Sequence, residues 1–258
     1  VAEWHPRVIT LGDDRKPYRR DWFEPHYVAV PGMNTLCQLA AEGKNLILDT
    51  AIESLEKTIA GWLLRDRNDT CHGPFDWVVC SMPAPQSAAL LPSSFTGYEQ
   101  VCGTTMLGCY SLLLGFAEPL QSLWQAAVVK HSPIGWLAFE SSRPGRAGGY
   151  GLLVQSTNTW AEQHLDDDSR QVQQTLWHEL ERLMAKTLPE PKYSRLHRWR
   201  YANTVPTPKA TPEVSPEAEC LMEEQLQLGV CGDWLLGGRV ESAYLSGLAL
   251  ATELKQRF

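Results

Sequence analysis

The run from Val230 to Gly247 constrains this chain more than any other stretch of it. It reads as a short buried strand ending in Gly232-Asp233, a turn loosened by Gly237 and Gly238, and then a helix. Val240, Ala243, Tyr244, Gly247, Leu248 and Ala251 recur at the i, i+3, i+4, i+7 spacing, which predicts one apolar helix face. A strand that passes through glycines into a helix N-terminus makes a seat for an anion. The first backbone N–H groups of a helix lack internal partners and point outward. A carboxylate at the strand end, Asp233, suits a sugar or ribityl hydroxyl, from which it accepts a hydrogen bond. The layout favours a nucleotide-type cofactor over a metal or a peptide.

Charge and composition narrow the function classes. The 258 residues carry a formal net charge of −7 and no Lys/Arg run long enough to track phosphates, which argues against a nucleic-acid partner. At 43% hydrophobic and 21% charged residues the composition is that of an ordinary soluble globular protein. No apolar stretch reaches the ~20 residues that cross a bilayer. With no charged-then-apolar leader at Val1, the expected location is cytoplasmic and no membrane partner is expected. Seven cysteines, an odd number with no C-x-x-C pair, are expected as buried reduced thiols rather than as a zinc site or a disulfide framework. Oligomeric state is left open.

Along the chain, Arg7 to Tyr27 reads as a partly charged hairpin region, Tyr27–Val30 as a short strand, and Met33 to about Glu42 as a helix. Leu46–Thr50 with Ile52–Glu56 predicts a kinked strand, and Gly61–Arg65 its antiparallel partner. Phe75–Met82 predicts a continuous strand buried on both faces in a parallel sheet, ended by Pro83 and Pro85. Thr104–Phe116, Gln125–Lys130, Ile134–Glu140, Tyr150–Ser156 and Tyr193–Tyr201 read as strands of a largely antiparallel sheet. A helix with Val172, Leu176, Leu180 and Leu183 on one face interrupts them. Thr204–Glu217, with four prolines, reads as a mobile surface excursion. The parallel pattern returns at Leu228. The expected fold is α/β (α+β): an incomplete dinucleotide-binding, Rossmann-like domain over 27–92 and 222–258, interleaved with a mostly antiparallel-sheet substrate domain over 1–26 and 93–221.

With these segments placed, the chain resembles the renalase-like branch of the FAD-dependent amine-oxidase superfamily. The matching pieces are Val1–Trp4, Val30-Pro31-Gly32-Met33, Phe75–Val79 with Met82–Gln86, Ser132–Trp136, Ser141–Arg146, His197–Ala202, and Cys231–Trp234 followed by Gly238–Glu241. They fall in the family's order along essentially the whole chain. The departure is at the start: such proteins open with a strand, a G-x-G-x-x-G turn and a helix that let the backbone approach the FAD pyrophosphate, and no G-x-G-x-x-G occurs here. The glycine-rich Gly145–Gly151 lies between two expected strands and has the wrong spacing. The expectation is a C-terminal fragment or a naturally truncated relative.

The resemblance implies roles residue by residue. Asp233 binds the ribityl or pyrophosphate part of FAD, with Gly232 allowing close approach; the other reading of Asp233 is a helix-capping carboxylate. Val240 offers its backbone N–H to the pyrimidine edge of the flavin, or is plain core. Arg239 pairs with a flavin carbonyl or phosphate, or forms an exposed salt bridge. Ile52 matches the position whose backbone contacts the adenine. His197, Trp199 and Tyr201 sit at i, i+2 and i+4 of one strand and so share a face. His197 and Trp199 are the candidate catalytic pair above the flavin; the other reading of His197 is a sheet histidine hydrogen-bonded to its neighbours. Tyr201 and Trp136 are candidates for the substrate-pocket wall, with core packing the competing reading for Trp136. His178 is expected to be solvated, and Asp166-Asp167-Asp168 to serve the start of the following helix rather than a metal.

Two functions follow. One is an FAD-dependent oxidoreductase, in which hydride passes from a small reduced substrate, such as a dihydronicotinamide isomer, to the flavin and dioxygen reoxidises it. The alternative is a truncated, non-catalytic binding or assembly module without FAD.

Overall fold

Strands dominate because alternating apolar residues recur through the first and middle thirds of the chain, and helices form where that period gives way to 3.6. The computed structural model describes residues 1–12, 14, 16–19, 25–146, 148–205 and 219–257. In chain order the elements are β1 (Ala2–Trp4), β2 (Val8–Leu11), β3 (Pro17–Arg19), β4 (His26–Val28), α1 (Thr35–Ala41), β5 (Ile52–Thr58), β6 (Gly61–Asp66), β7 (Cys71–Phe75) and β8 (Val78–Cys80). Then come α2 (Ala84–Leu90), α3 (Tyr98–Gly103), β9 (Met106–Phe116), β10 (Ala126–Val129), β11 (Ile134–Phe139), β12 (Tyr150–Ser156), α4 (Asn158–His164) and α5 (Ser169–Met184). The last elements are β13 (Tyr193–Thr204), β14 (Leu221–Glu223), β15 (Leu228–Val230) and α6 (Val240–Lys255). The chain divides into unit 1, Val1–Leu46 with Gly108–Arg200, and unit 2, Ile47–Leu107 with Tyr201–Phe258.

Unit 1 is built on a seven-stranded sheet of order β13-β9-β12-β11-β10-β2-β3. The β2–β10 pair is parallel, while β10–β11, β11–β12, β12–β9 and β2–β3 are antiparallel. One face carries Tyr110, Leu112, Leu114, Leu137, Leu152 and Val154 against Val172, Leu176, Leu180 and Leu183 of α5. Each of those four α5 residues is at most 3% exposed. Burial of this kind stabilises by about 1.5–3 kcal/mol per large side chain. Asp168 starts α5: its carboxylate accepts the Arg170 and Gln171 backbone N–H at 2.9 and 3.2 Å. On the opposite face, Trp4 of β1 and Val28 of β4 pack on Val8, Ala126 and Ala138, where the small alanines leave room for the indole.

Unit 2 holds two three-stranded sheets, an antiparallel meander β5-β6-β7 and a sheet of order β14-β15-β8. In the second, β15 and β8 run parallel, with Leu228, Gly229 and Val230 opposite Val78, Val79 and Cys80. Trp62, Val78, Leu91, Phe95, Val101, Leu228, Val230 and Trp234 form its core. The meander is tied in by Trp62, whose indole N–H donates to Leu226 O at 2.9 Å.

Several expectations are corrected. Leu46–Thr50 forms no strand, and Leu46, Ile47 and Leu48 are exposed, because no neighbouring strand pairs with them. The run expected from Phe75 to Met82 is split: Phe75 ends β7, and only Val78–Cys80 joins the parallel pair, with Val79 exposed. The helix after Pro31-Gly32 is present, but α1 buries none of its residues. Not all thiols are buried: Cys37 on α1, Cys71 on β7 and Cys102 on α3 are exposed, Cys220 is intermediate, and Cys80, Cys109 and Cys231 are buried, all seven being free. The largest correction concerns α6. Its buried residues are Ser242, Ser246 and Leu250, while Val240, Tyr244 and Leu248 of the expected apolar stripe are exposed. Apart from Thr204 and Val205, the expected excursion through Thr204–Glu217 lies outside the described residues.

Candidate functional site

The closing loop of unit 2 is held by hydrogen bonds that explain why serines occupy the buried side of α6. The Gly232 N–H donates to Ser246 Oγ at 3.0 Å, and that hydroxyl donates to Glu219 O at 2.6 Å. The Ser242 hydroxyl donates to Leu236 O at 2.9 Å. Leu250 packs onto Gly229 of β15, where an added Cβ would lie 3.0 Å from Leu250 Cδ1. The loop itself closes through Asp233, whose backbone oxygen accepts the Leu236 and Gly238 N–H at 3.0 and 2.8 Å. Gly237 and Gly238 take positive φ of 94° and 79°, which favours glycine at both positions.

This geometry presents the expected cofactor residues together. Among the described residues, the Asp233 carboxylate makes no side-chain hydrogen bond or ion pair and caps neither the short turn it opens nor α6. Arg239 is the residue before α6 and offers no side-chain cap, so the first N–H groups of that helix lack side-chain partners. Val240 is 81% exposed, so it is not core. At Gly232 an added Cβ would lie 2.4 Å from the Trp234 indole nitrogen, so only glycine fits where the strand leaves the sheet. Ile52 lies elsewhere in unit 2, half-buried at the start of β5 opposite Asp66. The donor set, an unpaired carboxylate beside glycines and exposed helix N–H groups, fits a hydroxyl-rich, anionic dinucleotide.

The unit 1 sheet face away from α5 is covered in part by Trp4 and Val28, and Ser111 on it is only 5% exposed. The register sets Thr10 opposite Val128, Val128 opposite Trp136, Trp136 opposite Gln155, and Gln155 opposite Ser111. Directly opposed residues point to one face, so these five form a row across five strands. The Trp199 indole N–H donates to Ser111 Oγ at 3.2 Å and extends the row onto β13. His197 joins it, with ring centroids 4.1 Å apart and planes at 61° to Trp199. Trp136 is also packed against Trp4, Ala126 and Ala138, so it is part core and part wall. Trp199 is 51% exposed and Tyr201, near the end of β13 and grouped with unit 2, is 38% exposed. Ser111 and Gln155 were missed by sequence reasoning. Their signal was the period-two alternation of Thr104–Phe116 and Tyr150–Ser156, which sets them opposite Leu112 and Val154 of the core.

Of the residues weighed for other roles, the three aspartates have local partners. His178 is exposed on α5. Asp166 pairs with Arg200 at 3.2 Å, Asp167 meets His164 Nδ1 at 2.6 Å, and Asp168 caps α5. No helix among the described residues is long and apolar enough to cross a membrane.

The mixed α/β fold is similar to that of a solved oxidase. A crystal structure from Exiguobacterium sp. 255-15, named as a candidate protoporphyrinogen oxidase, matches it with a TM-score of 0.62 at 16% identity, over 87% of this chain and 51% of that one. This chain thus spans about half the length of that solved relative. Residues 18–255 match the family model of flavin containing amine oxidoreductases, and the chain belongs to that family. The cofactor of the family is a flavin, FAD being typical.

Proposed function

We propose that this chain is the flavin- and substrate-binding part of an FAD-dependent oxidoreductase of renalase-like type, acting in the cytoplasm on a small reduced molecule such as a dihydronicotinamide isomer. The observation that carries the reading is the closing loop of unit 2, with Gly232, the unpaired Asp233 carboxylate and the exposed start of α6 at Val240 together, in a chain whose family uses a flavin. Asp233 accepts a ribityl hydroxyl, the α6 N–H groups at Val240 face the flavin edge, and Arg239 supplies positive charge there. The flavin, when bound, supplies the acceptor for hydride and its reoxidation by dioxygen. The Ile52 backbone takes the adenine by analogy with the family. On unit 1, Trp136 and Trp199 offer flat apolar surface to a heterocycle, and Ser111 and Gln155 offer polar groups between them. His197, held against Trp199, orients the substrate and donates to or accepts from it according to its tautomer.

The experiment is to load the chain with FAD, exclude air, and mix it with reduced dihydronicotinamide isomers and, separately, with amines. Bleaching of the flavin band, followed by peroxide release on admitting air, is the expected result. His197→Ala and Trp199→Ala are expected to slow bleaching by about tenfold or more while leaving bound flavin unchanged. The second reading is a binding module without FAD. A folded chain that stays colourless supports that one.

A further inference from the structure

The turn that follows β11 in unit 1 gathers two guanidiniums that, among the described residues, meet a single carboxylate. Glu140 opens it and Arg143 and Arg146 follow. Arg143 Nη2 lies 3.2 Å from Glu140 Oε1, and Arg146 Nε lies 3.9 Å from Glu140 Oε2. Two guanidiniums therefore share one carboxylate. Arg146 also donates from Nη1 to Ala29 O at 3.1 Å. The Arg143 guanidinium stands over the Trp4 ring, with Cζ 5.1 Å from its centroid, and the His26 ring meets Trp4 edge-on at 5.8 Å. The Arg143 and Arg146 side chains are only 13% and 16% exposed, and that of Glu140 is 30% exposed.

Among the described residues, two donors in this cluster are buried without a hydrogen-bond acceptor: Trp4 Nε1, in a residue 5% exposed, and Arg143 Nε. Buried N–H groups are nearly always paired. Glu140 Oε1 is ion-paired but makes no hydrogen bond of good geometry, so it does not satisfy them. A water molecule bridges donors but leaves the surplus positive charge. An oxyanion answers both needs, and the guanidinium fork matches carboxylate and phosphate geometry.

We infer that this cluster is an oxyanion-binding site, with Trp4 Nε1 and Arg143 Nε as donors and Arg146 as supporting charge, taking the carboxylate or phosphate group of a small molecule. It stands on unit 1 alone and does not depend on the flavin reading.

The test follows the thermal midpoint of the flavin-free chain while sodium phosphate, sodium acetate or sodium chloride is added at one constant ionic strength. The expected result is a saturable rise with phosphate, acetate or both, and none with chloride; which anion works identifies the group. Trp4→Phe keeps the ring and removes the donor, and Arg143→Lys keeps the charge and removes the fork. Each is expected to weaken binding by about tenfold or more. A flat response of the wild-type chain, an equal response to chloride, or folded variants that respond like wild type would overturn the assignment. If one variant does not fold, the other and the wild-type anion comparison still decide.

Discussion

Cys80 ends β8 and Cys231 follows β15, with the Cys231 N–H donating to Cys80 O at 3.1 Å. Burial, reinforced by the neighbouring Cys231 thiol, pushes the Cys80 thiol up to about 11. Burial also pushes the Cys109 and Cys231 thiols up. Since the thiolate is the reactive form, a thiol reagent at neutral pH is expected to modify Cys37, Cys71 and Cys102 in the native chain and Cys80, Cys109 and Cys231 only on unfolding. Peptide mapping of the labelled sites checks this, and fast native labelling of Cys80 contradicts it. Asp66 is the matching acidic case. Its carboxylate meets His72 Nε2 at 3.0 Å and accepts the Thr70 and Asn68 N–H at 2.9 and 2.8 Å. The His72 hydrogen bond, then that of Thr70, holds its carboxyl below the ordinary 3.8 against desolvation. A depressed folded value means the stabilisation is complete above the unfolded value and is lost as pH falls through the folded one. Acid melts of wild type and Asp66→Asn are therefore expected to diverge above 3.8 and to converge as pH falls below it. Parallel melting curves through that range contradict the expectation.

Among elements, α6 shows what sequence pattern carries and what it loses. Its 3.6-residue period and its start at Val240 were legible; its orientation was not. Hydropathy counts Ser242 and Ser246 as solvent-facing, yet both are buried because their hydroxyls pair with the backbone of the loop before the helix. Only tertiary structure supplies those partners. Leu250→Ala is expected to cost about 2–5 kcal/mol in urea unfolding, Ser246→Ala about 1–3 kcal/mol through the unpaired Gly232 N–H, and Tyr244→Lys no more than about 0.5 kcal/mol. A large loss at Tyr244 with none at Leu250 would restore the other orientation. β7 was hidden for a different reason: Gly73 and Pro74 argue against a strand, and the segment is tolerated because β7 pairs on one side only, with β6. Where alternation met no such breaker, as in Tyr150–Ser156, the strand limits agree residue for residue. His197 and Trp199 were legible as sharing a face because a strand's side-chain period is two. Ser111 and Gln155 needed the register, which is a long-range property.

For the whole molecule, the α/β class was readable from the order of strand and helix patterns, and the two-unit division runs inside β9 and β13 and, at Leu46/Ile47, through the connection between α1 and β5. Exposed Leu36, Leu39, Leu46, Ile47, Leu48, Val240, Tyr244 and Leu248 give the chain more apolar surface than a closed fold needs. The central claim is that the loop around Asp233 holds a flavin dinucleotide. Its most direct test is a calorimetric titration of FAD into the 258-residue chain and into Asp233→Ala. The account predicts saturable binding of one FAD per chain, weakened by about tenfold or more in the variant. No binding, or equal binding by both proteins, would contradict it.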